Sequence, residues 1–229
     1  MKNAIVTGGS RGLGRALARA LAERGWSLVI DARGAEALES ARSELAGLTN
    51  VVALAGDVAD AGHRRELLSA LDGPLDLLVN NASLLGASPL PALADYPLDE
   101  LEQLFRVNVA APIALVQLAL PRLASGGRIV NVSSDAAVEA YEGWGGYGAS
   151  KAALDQLTNV LAAERSDLRV YAVDPGDMNT QMQQDAYPGE DVSDRPPPEE
   201  SVPGLVALVE GELSSGRYSA RELALPALR

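Results

Sequence analysis

The most constraining feature of this sequence is a regular alternation between short apolar runs and longer amphipathic stretches. The short runs are typical of buried strands, and the longer stretches repeat their apolar residues at the period of a helix. The predicted strands span residues 4–7, 27–31, 50–55, 75–80, 128–133, 169–174 and 216–219. The predicted helices span residues 12–24, 35–46, 60–71, 98–124, 147–165 and 202–213.

Strands that are apolar throughout and alternate with helices predict a parallel sheet covered by helices on both faces. Right-handed crossovers then give an α/β doubly wound parallel sheet, a Rossmann fold, whose ligands bind at the carboxyl ends of the strands. The length of 229 residues suits a single domain over residues 1–229. Residues 177–203 break the pattern with five prolines, and we expect them to form a flap over the ligand site.

Charge and residue usage argue against several classes of protein. The chain carries a net charge of −12 and has no basic run, so we expect no nucleic-acid partner. It has no cysteine and one histidine, His63, which we place on a surface helix without a chemical role, and we expect no metal site. No secretory signal is visible, and no apolar run looks long enough to span a membrane, so we expect a cytoplasmic protein without a membrane partner.

A glycine-rich turn, TGGSRGLG, occupies residues 7–14 after the first predicted strand. Its glycines let the backbone turn tightly and approach a pyrophosphate, which the free N–H groups at the start of the next helix can bind. A turn of this kind is weak evidence alone, but its place between the first strand and the first helix favours a dinucleotide site. The expected contacts are Thr7, Gly8, Ser10, Arg11, Gly12, Leu13 and Gly14.

Five further motifs follow in order along the chain. They are Asp57-Val58, Asn80-Asn81-Ala82, Asn108 in FRVNV, Ser134 with Tyr147-x-x-x-Lys151, and Pro175-Gly176. With the glycine spacing G-x-x-x-G-x-G, this set resembles the classical short-chain dehydrogenase/reductase (SDR) family over about residues 3 to 180. The resemblance implies an NAD(P)-dependent oxidoreductase that moves hydride between the nicotinamide and a carbonyl or secondary alcohol.

The resemblance also implies which residues contact the cofactor beyond the glycine-rich turn. They are Asp57 and Val58 at the adenine, Asn80, Asn81 and Ala82 along the ribose and nicotinamide side, Pro175 and Gly176 closing on the nicotinamide, and Thr180 at its carboxamide. The family usually has glycine where this chain has Ser83. A side chain there either disturbs close backbone packing near the nicotinamide or adds a polar group to the pocket.

Tyr147 and Lys151 are the expected catalytic pair, because their i, i+4 spacing places both on one face of a helix. A free phenol titrates near about 10, and a nearby buried ammonium stabilises the phenolate; lowering the phenol pKa by about three units corresponds to about 4 kcal/mol. The chain has 17 arginines but only two lysines, which favours a specific use for an ammonium at this position. The resemblance adds that Lys151 holds the nicotinamide ribose.

Two further catalytic residues are implied by the resemblance. Ser134 is expected to bond the substrate oxygen and to help stabilise the developing alkoxide. Ser133 is the competing assignment, but the spacing of thirteen residues to Tyr147 favours Ser134. Asn108 is expected to bend its helix and to hold a water in the proton relay to the lysine. The alternative for Asn108 is a capping or core-satisfied asparagine.

The sequence favours NADP over NAD as the cofactor. An NAD enzyme usually has an acidic residue at the end of the second strand that binds both ribose hydroxyls. Aligned by the resemblance, that position falls on Ala32, followed by Arg33. Arg11 is a second guanidinium suited to a 2′-phosphate. If the alignment is off by one residue, Asp31 is the ribose-binding acid and NAD is the cofactor.

The substrate pocket is expected between residues 84–90, 135–146 and 178–187. Its candidate contacts are Ser83, Glu139, Tyr141, Trp144, Met178 and Met182. These walls contain aromatic and polar groups but no Arg or Lys, which favours a medium-sized small-molecule carbonyl or alcohol over a strongly anionic substrate.

The helix at 107–120 is apolar nearly all round, which indicates burial beyond one face of the sheet. In the family this helix contributes to a subunit interface, so the resemblance implies a homodimer or homotetramer. Two alternative functions stay open: an NAD-dependent alcohol dehydrogenase of the same family, and a non-catalytic dinucleotide-sensing protein. A sensor would not need all four of Asn108, Ser134, Tyr147 and Lys151, so their joint presence argues against it.

Overall fold

The computed structural model describes residues 1–224 and centres on a sheet of seven parallel strands. Their spatial order is β3-β2-β1-β4-β5-β6-β7, with every neighbouring pair parallel. The strands are β1 (Asn3–Val6), β2 (Ser27–Ala32), β3 (Val51–Ala55), β4 (Leu75–Asn80), β5 (Leu123–Val132), β6 (Arg169–Asp174) and β7 (Gly216–Ser219). The predicted doubly wound Rossmann fold is confirmed, and the order reverses between β1 and β4, where such sheets open a crevice for ligands.

Helices connect the strands and cover the sheet. They are α1 (Gly12–Glu23), α2 (Ala35–Leu45), α3 (Ala61–Ser69), α4 (Leu98–Phe105), α5 (Ala111–Ala119), α6 (Gly145–Glu164), α7 (Gln181–Ala186), α8 (Val202–Glu210) and α9 (Ala220–Ala224). Short 3₁₀ turns lie at Leu93–Asp95, Leu120–Arg122, Asp135–Ala137 and Pro198–Ser201.

The core has two layers because successive residues of a strand face opposite sides of the sheet. Ala4 and Val6 pack with α1, α2 and α8, whereas Ile5, between them, packs with α3, α5 and α6. All three of these β1 side chains are fully buried. The continuous apolar runs read from the sequence therefore correspond to strands buried on both faces.

The helix predicted at 98–124 is the main departure from expectation. It is divided by a π-helical turn, Arg106–Ala110, that contains Asn108, and it ends in the 3₁₀ turn before Leu123. Strand β5 begins at Leu123, five residues earlier than predicted, and its pairing with β4 changes register. Gly126, with φ +73, supplies the irregular backbone that this register change needs.

The run Leu98–Arg122 is long and apolar enough, by length and composition, to cross a membrane, with a mean hydropathy of 1.5. The expectation that no apolar run reaches this length is therefore wrong. In the fold, 44% of its apolar 18-residue window is buried, and the run packs on α3, α6 and the sheet. A core helix passes the same test of length and composition.

Candidate active site

The glycine-rich turn joins β1 to α1 at the carboxyl edge of the sheet. Gly8 and Gly12 have φ values of +68 and +53, in the left-handed region that favours glycine. A Cβ on Gly14 would lie 2.3 Å from the Gly8 carbonyl oxygen and 2.5 Å from Nδ2 of Asn81. Each of the three glycines is therefore required by backbone geometry, and α1 begins with its N–H groups at the turn.

Thr7 and Asn81 stabilise this turn through hydrogen bonds to each other. The Thr7 hydroxyl accepts hydrogen bonds from the backbone N–H groups of Asn81 and Ala82, at 2.9 and 3.0 Å. The Asn81 side chain donates to the Thr7 carbonyl at 2.8 Å. These contacts join the end of β4 to the end of β1. Thr7 and Asn81, both predicted to contact the cofactor, therefore also stabilise the conformation of the glycine-rich turn.

A cavity of about 920 Å³ runs from the glycine-rich turn to Tyr147. Among the residues predicted to bind the cofactor, its walls include Gly8, Ser10, Arg11, Gly12, Leu13, Arg33, Asp57, Val58, Asn81, Ala82, Tyr147, Lys151, Pro175 and Thr180. Segments distant in sequence thus meet on one surface, as expected for the carboxyl ends of neighbouring parallel strands.

The residues of this cavity fit a nicotinamide dinucleotide. The turn offers a close backbone approach and the N-terminus of a twelve-residue helix for a pyrophosphate. At the other end, the buried Ser133 hydroxyl lines the cavity and has no hydrogen-bond partner among residues 1–224. Such a group is normally satisfied by a ligand or water. The cavity volume also lies within the range of about 300–1,000 Å³ usual for ligand pockets.

Asp31 lines the cavity, and both of its carboxylate oxygens are already engaged within the protein. One carboxylate oxygen accepts from Gly8 N–H at 2.8 Å, the other lies 3.0 Å from Nε2 of His63, and the residue is 1% exposed. The interaction with Asp31 raises the pKa of His63. His63 lies on α3, whose other face is exposed as expected of a surface helix, but its own side chain is buried. Its ring supports the carboxylate under the glycine-rich turn.

Arg11 and Arg33 lie on the rim of the cavity where the adenosine end of a dinucleotide would sit. Both side chains are exposed, and neither forms an ion pair within the part of the chain that the structure describes. The neighbouring Arg15 and Arg19 instead pair with Glu44. Two guanidinium groups on this rim are thus available to an anion.

The residues predicted at the adenine and ribose divide into two groups. Asp57 and Val58 line the cavity, and Asp57 accepts from Ala59 N–H at 2.8 Å, which fixes its carboxylate. Asn80 does not line the cavity: its side chain is buried and donates to Asn131 at 2.7 Å. The cofactor contact expected of the Asn80 side chain is therefore not supported, because the side chain joins β4 to β5.

The segment after β6 covers one side of the cavity. Pro175, Met178, Thr180 and Met182 line it, whereas Gly176 does not. The Thr180 hydroxyl caps α7. Its methyl carbon would lie 3.5 Å from a Cβ atom built on Gly12. The predicted flap thus meets the glycine-rich turn.

Tyr147 and Lys151 lie at the inner end of the cavity on α6, with exposures of 7% and 2%. The Lys151 Nζ donates to the Val132 carbonyl at 2.8 Å and lies 5.4 Å from the Tyr147 ring centroid. Burial lowers the pKa of Lys151 to about 8 and raises the pKa of Tyr147 above its usual value. Burial is the largest influence on the phenol pKa, and the expected lowering by the Lys151 ammonium is not among the influences on it in this structure.

Asn108 lies inside the π-helical turn and is 1% exposed. Its Oδ1 accepts from Leu84 N–H at 2.8 Å, and its Nδ2 donates to the Leu84 carbonyl at 2.9 Å and to the Ser150 hydroxyl at 3.1 Å. Asn108 thus fixes the loop after β4 against α6, the helix that bears Tyr147. This arrangement agrees with the alternative of a core-satisfied asparagine and does not address a bound water.

The two serines at the end of β5 point to different surroundings. Ser133 lines the cavity, and Ser134 is not among its lining residues. The Ser134 hydroxyl donates to Asp135 at 2.9 Å and accepts from Ala136 N–H at 3.2 Å, capping the 3₁₀ turn. This turn packs against α6, because a Cβ on Gly148 would lie 2.5 Å from the Ala136 carbonyl.

Only some of the residues predicted to line the substrate pocket lie near Tyr147. The Trp144 ring lies 5.6 Å from the Tyr147 ring and 6.2 Å from that of Tyr187, and Met182 packs in the same cluster. Glu139 and Tyr141 are exposed, so they lie at the mouth rather than in this cluster. Leu85 and Tyr187 also belong to this cluster. They were not predicted as individual substrate contacts, because nothing in their local sequence distinguishes them from neighbouring residues.

A Rossmann sheet with a glycine-rich turn at one end of a cavity and a buried Tyr-Lys pair at the other is an arrangement typical of dinucleotide-dependent oxidoreductases. Two fungal short chain dehydrogenases, from Penicillium thymicola and Emericella nidulans, are each 41% identical to the chain over 174 residues, or 70% and 71% of it. A short chain dehydrogenase from Burkholderia cenocepacia, solved in complex with NADP, is 32% identical over 95% of each chain, with a TM-score of 0.83.

The short chain dehydrogenase profile matches residues 2–191. The chain therefore belongs to the short-chain dehydrogenase/reductase family, as its motifs predicted. The matched region spans 62% and 64% of the length of the two fungal relatives, so less than two thirds of each is represented.

Proposed function

We propose that the protein is an NADP(H)-dependent carbonyl reductase in which Tyr147 is the general acid. The observation that carries the proposal is the placement of the Tyr147 phenol, nearly completely buried, on the wall of the same cavity as the glycine-rich turn. A proton donor and a hydride donor must both reach one carbonyl group. A bound reduced nicotinamide would supply the hydride to the carbonyl carbon.

The chain's own groups then handle the proton and the carbonyl oxygen. Tyr147 Oη gives its proton to that oxygen, and Ser134 Oγ donates a hydrogen bond to it. Lys151, with a pKa of about 8, provides an ammonium that can form below that pH beside the phenol. Asn108 keeps the loop after β4 and α6 in register. Alcohol oxidation would use the same groups in reverse.

The flap at 177–203 and the cluster around Trp144 support a substrate class. Trp144, Tyr187, Leu85 and Met182 form an aromatic and apolar cluster beside Tyr147, and Met182 lines the cavity. We propose a medium-sized, uncharged carbonyl compound with an aromatic or apolar substituent as substrate. The flap would close over it, because Met178 and Thr180 already border the cavity.

The preference for NADP rests on Arg33 and Arg11, with the carboxylate of Asp31 engaged by Gly8 and His63. We expect Arg33→Ala to weaken NADPH binding about tenfold to a hundredfold, since a hydrogen bond to a charged group contributes about 1.5–3 kcal/mol. NADH binding should change little. Fluorescence titration with both cofactors, together with turnover of aryl ketones, aldehydes and acyl thioesters, measures this.

Arg42→Ala is the matched control, because Arg42 is an arginine on α2 that pairs with Glu39. It removes the same charge without touching the cavity rim. If wild-type protein bound NADH more tightly than NADPH, the cofactor would be NAD. Turnover of acyl thioesters alone would contradict the substrate class, and the absence of turnover with every carbonyl would favour a sensor.

We also propose a homodimer or homotetramer. Leu98, Leu118 and Val160 are exposed apolar side chains on α4, α5 and α6. Exposed apolar side chains on helices that cover one side of a sheet are suited to a symmetric interface. Light scattering at micromolar concentration should give two or four times the chain mass of 23.8 kDa. A mass equal to that of one chain would contradict this proposal.

A further inference from the structure

The Asp31 carboxylate lies in the cavity wall against the glycine-rich turn. Its Oδ1 accepts from Gly8 N–H at 2.8 Å, and the Asp31 backbone carbonyl accepts from Gly9 N–H, also at 2.8 Å. Arg33, two residues further along the chain, lines the same cavity. An acidic side chain at the end of the second strand is the group that binds the ribose hydroxyls in NAD enzymes. Asp31 therefore lies beside the proposed 2′-phosphate site as an acid of the type that would favour NAD.

His63, on α3, engages the second oxygen of this carboxylate. Its Nε2 lies 3.0 Å from Asp31 Oδ2, and the two side chains are only 5% and 1% exposed. A carboxylate only accepts, so Nε2 carries the hydrogen of this bond. The hydrogen bond to Asp31 raises the pKa of His63, which favours an imidazolium that offsets the carboxylate charge.

The residues around the imidazole ring fit it to this position. A Cβ on Gly56 would lie 2.2 Å from His63 Nδ1, so a glycine is needed to leave room for the ring behind this part of the cavity wall. The other carboxylates that act on the ring are Asp60, which accepts from the His63 backbone N–H at 2.8 Å, and Glu66 on α3. Within residues 1–224, the side-chain hydrogen bond of the ring is the one to Asp31.

We propose that His63 is a positioning residue that sets cofactor specificity, because its hydrogen bond keeps the Asp31 carboxylate from binding the adenosine ribose. The inference rests on the proposed preference for NADP(H) and names the group that protects this preference. Without the imidazole, Asp31 Oδ2 is free to accept a hydrogen bond from a ribose 2′-hydroxyl, and its uncompensated charge repels a 2′-phosphate. His63 therefore favours NADPH over NADH, although it does not itself line the cavity.

The test is the ratio of the Kd for NADH to the Kd for NADPH, measured by fluorescence titration without substrate. We expect His63→Leu to lower this ratio about tenfold or more, the size of a hydrogen bond to a charged group. His63→Asn, whose shorter amide does not reach Asp31, should have the same effect with a polar side chain, and it carries the test if His63→Leu does not fold. His63→Gln, whose amide nitrogen can donate to Asp31, should keep most of the wild-type ratio.

A second substitution tests whether the effect passes through Asp31. Asp31→Asn removes the charge and keeps a side-chain oxygen for Gly8 N–H. In that background His63→Leu should change the ratio less than about twofold, because no carboxylate remains to be released. Arg65→Leu is the matched control, since Arg65 is an exposed cation on the same helix that does not line the cavity, and it should keep the wild-type ratio.

A further readout needs no cofactor. The chain has one histidine, so its imidazole resonances are assigned by composition. They should titrate above the ordinary histidine pKa in the wild type and at lower pH in Asp31→Asn, because the hydrogen-bonding partner that raises the His63 pKa is lost. An imidazole pKa that Asp31→Asn leaves unchanged would overturn the pairing.

An unchanged ratio in His63→Leu and His63→Asn, even with equal losses of affinity for both cofactors, would overturn the role of His63 in specificity. So would a fall in the ratio that persists in the Asp31→Asn background. Tighter binding of NADH than of NADPH by the wild type would instead contradict the cofactor of the proposed function. The two failures are distinguishable, because the first is a comparison between variants and the second is a property of the wild type.

Discussion

Replacing Tyr147 with phenylalanine is expected to lower kcat for carbonyl reduction by about 10³-fold, within the range typical of losing a positioned general acid. The substitution removes one oxygen atom and keeps the ring that packs against Trp144. Binding of NADPH should change little, because the glycine-rich turn and the arginine rim lie at the other end of the cavity. Steady-state kinetics and cofactor titration together measure both expectations.

The pH dependence adds a directional test. Burial raises the pKa of Tyr147, so the phenol is protonated at neutral pH, as a proton donor must be. Reduction by the wild type should be fast at neutral pH, begin to fall near pH 8 as Lys151 loses its proton, and fall further as the pH approaches the raised pKa of Tyr147. Oxidation needs the phenolate and should increase with pH over the same range.

Tyr218→Phe is the matched control for Tyr147→Phe. Its hydroxyl donates to the Ser214 carbonyl near β7, away from the cavity. It should therefore retain wild-type kcat. Reduction at the full wild-type rate in Tyr147→Phe would contradict the proposed mechanism, and a large loss in Tyr218→Phe would point to damage of the fold instead.

The fold followed from the sequence because its determinants are periodic. Strand β1 is buried on both faces of the sheet, so every one of its positions requires an apolar residue. The sequence shows this directly as a continuous apolar run. A bend at Asn108 was expected, but its π-helical form and the early start of β5 at Leu123 were not predicted. A π-helical turn and a change of strand register depend on tertiary packing, which periodicity does not report.

The residues of the candidate active site also divide into those predictable from local sequence and those that were not. The glycine spacing and the Tyr147–Lys151 pair are local in sequence, so their geometry is nearly fixed by a turn and a helix. Contacts between distant segments were not predictable: Asp31 with His63, and Ser83 with Asn108. Each of these pairs depends on how two strand ends or loops approach one another, and the sequence carries no signal for that approach.

The assignment of the substrate-binding serine is the second prediction with a large expected effect. We expect Ser134→Ala to lower kcat about 10²-fold, the lower end of the range for losing one donor to a developing oxyanion. Its hydroxyl lies on the turn that packs against α6 beside Tyr147. Ser133→Ala should lower kcat less than about fivefold, because under this assignment its hydroxyl lines the cavity without bonding the reacting oxygen.

Stability separates the catalytic effect from a structural one. The Ser134 hydroxyl caps a 3₁₀ turn, so Ser134→Ala should cost about 1 kcal/mol, or about 2–4 °C in Tm for a chain of this size. A loss of that size leaves the protein folded at assay temperature, and the fall in kcat then reports the missing hydrogen bond to the substrate oxygen. A large loss of kcat in Ser133→Ala, with Ser134→Ala nearly wild type, would transfer the role to Ser133, the serine that lines the cavity.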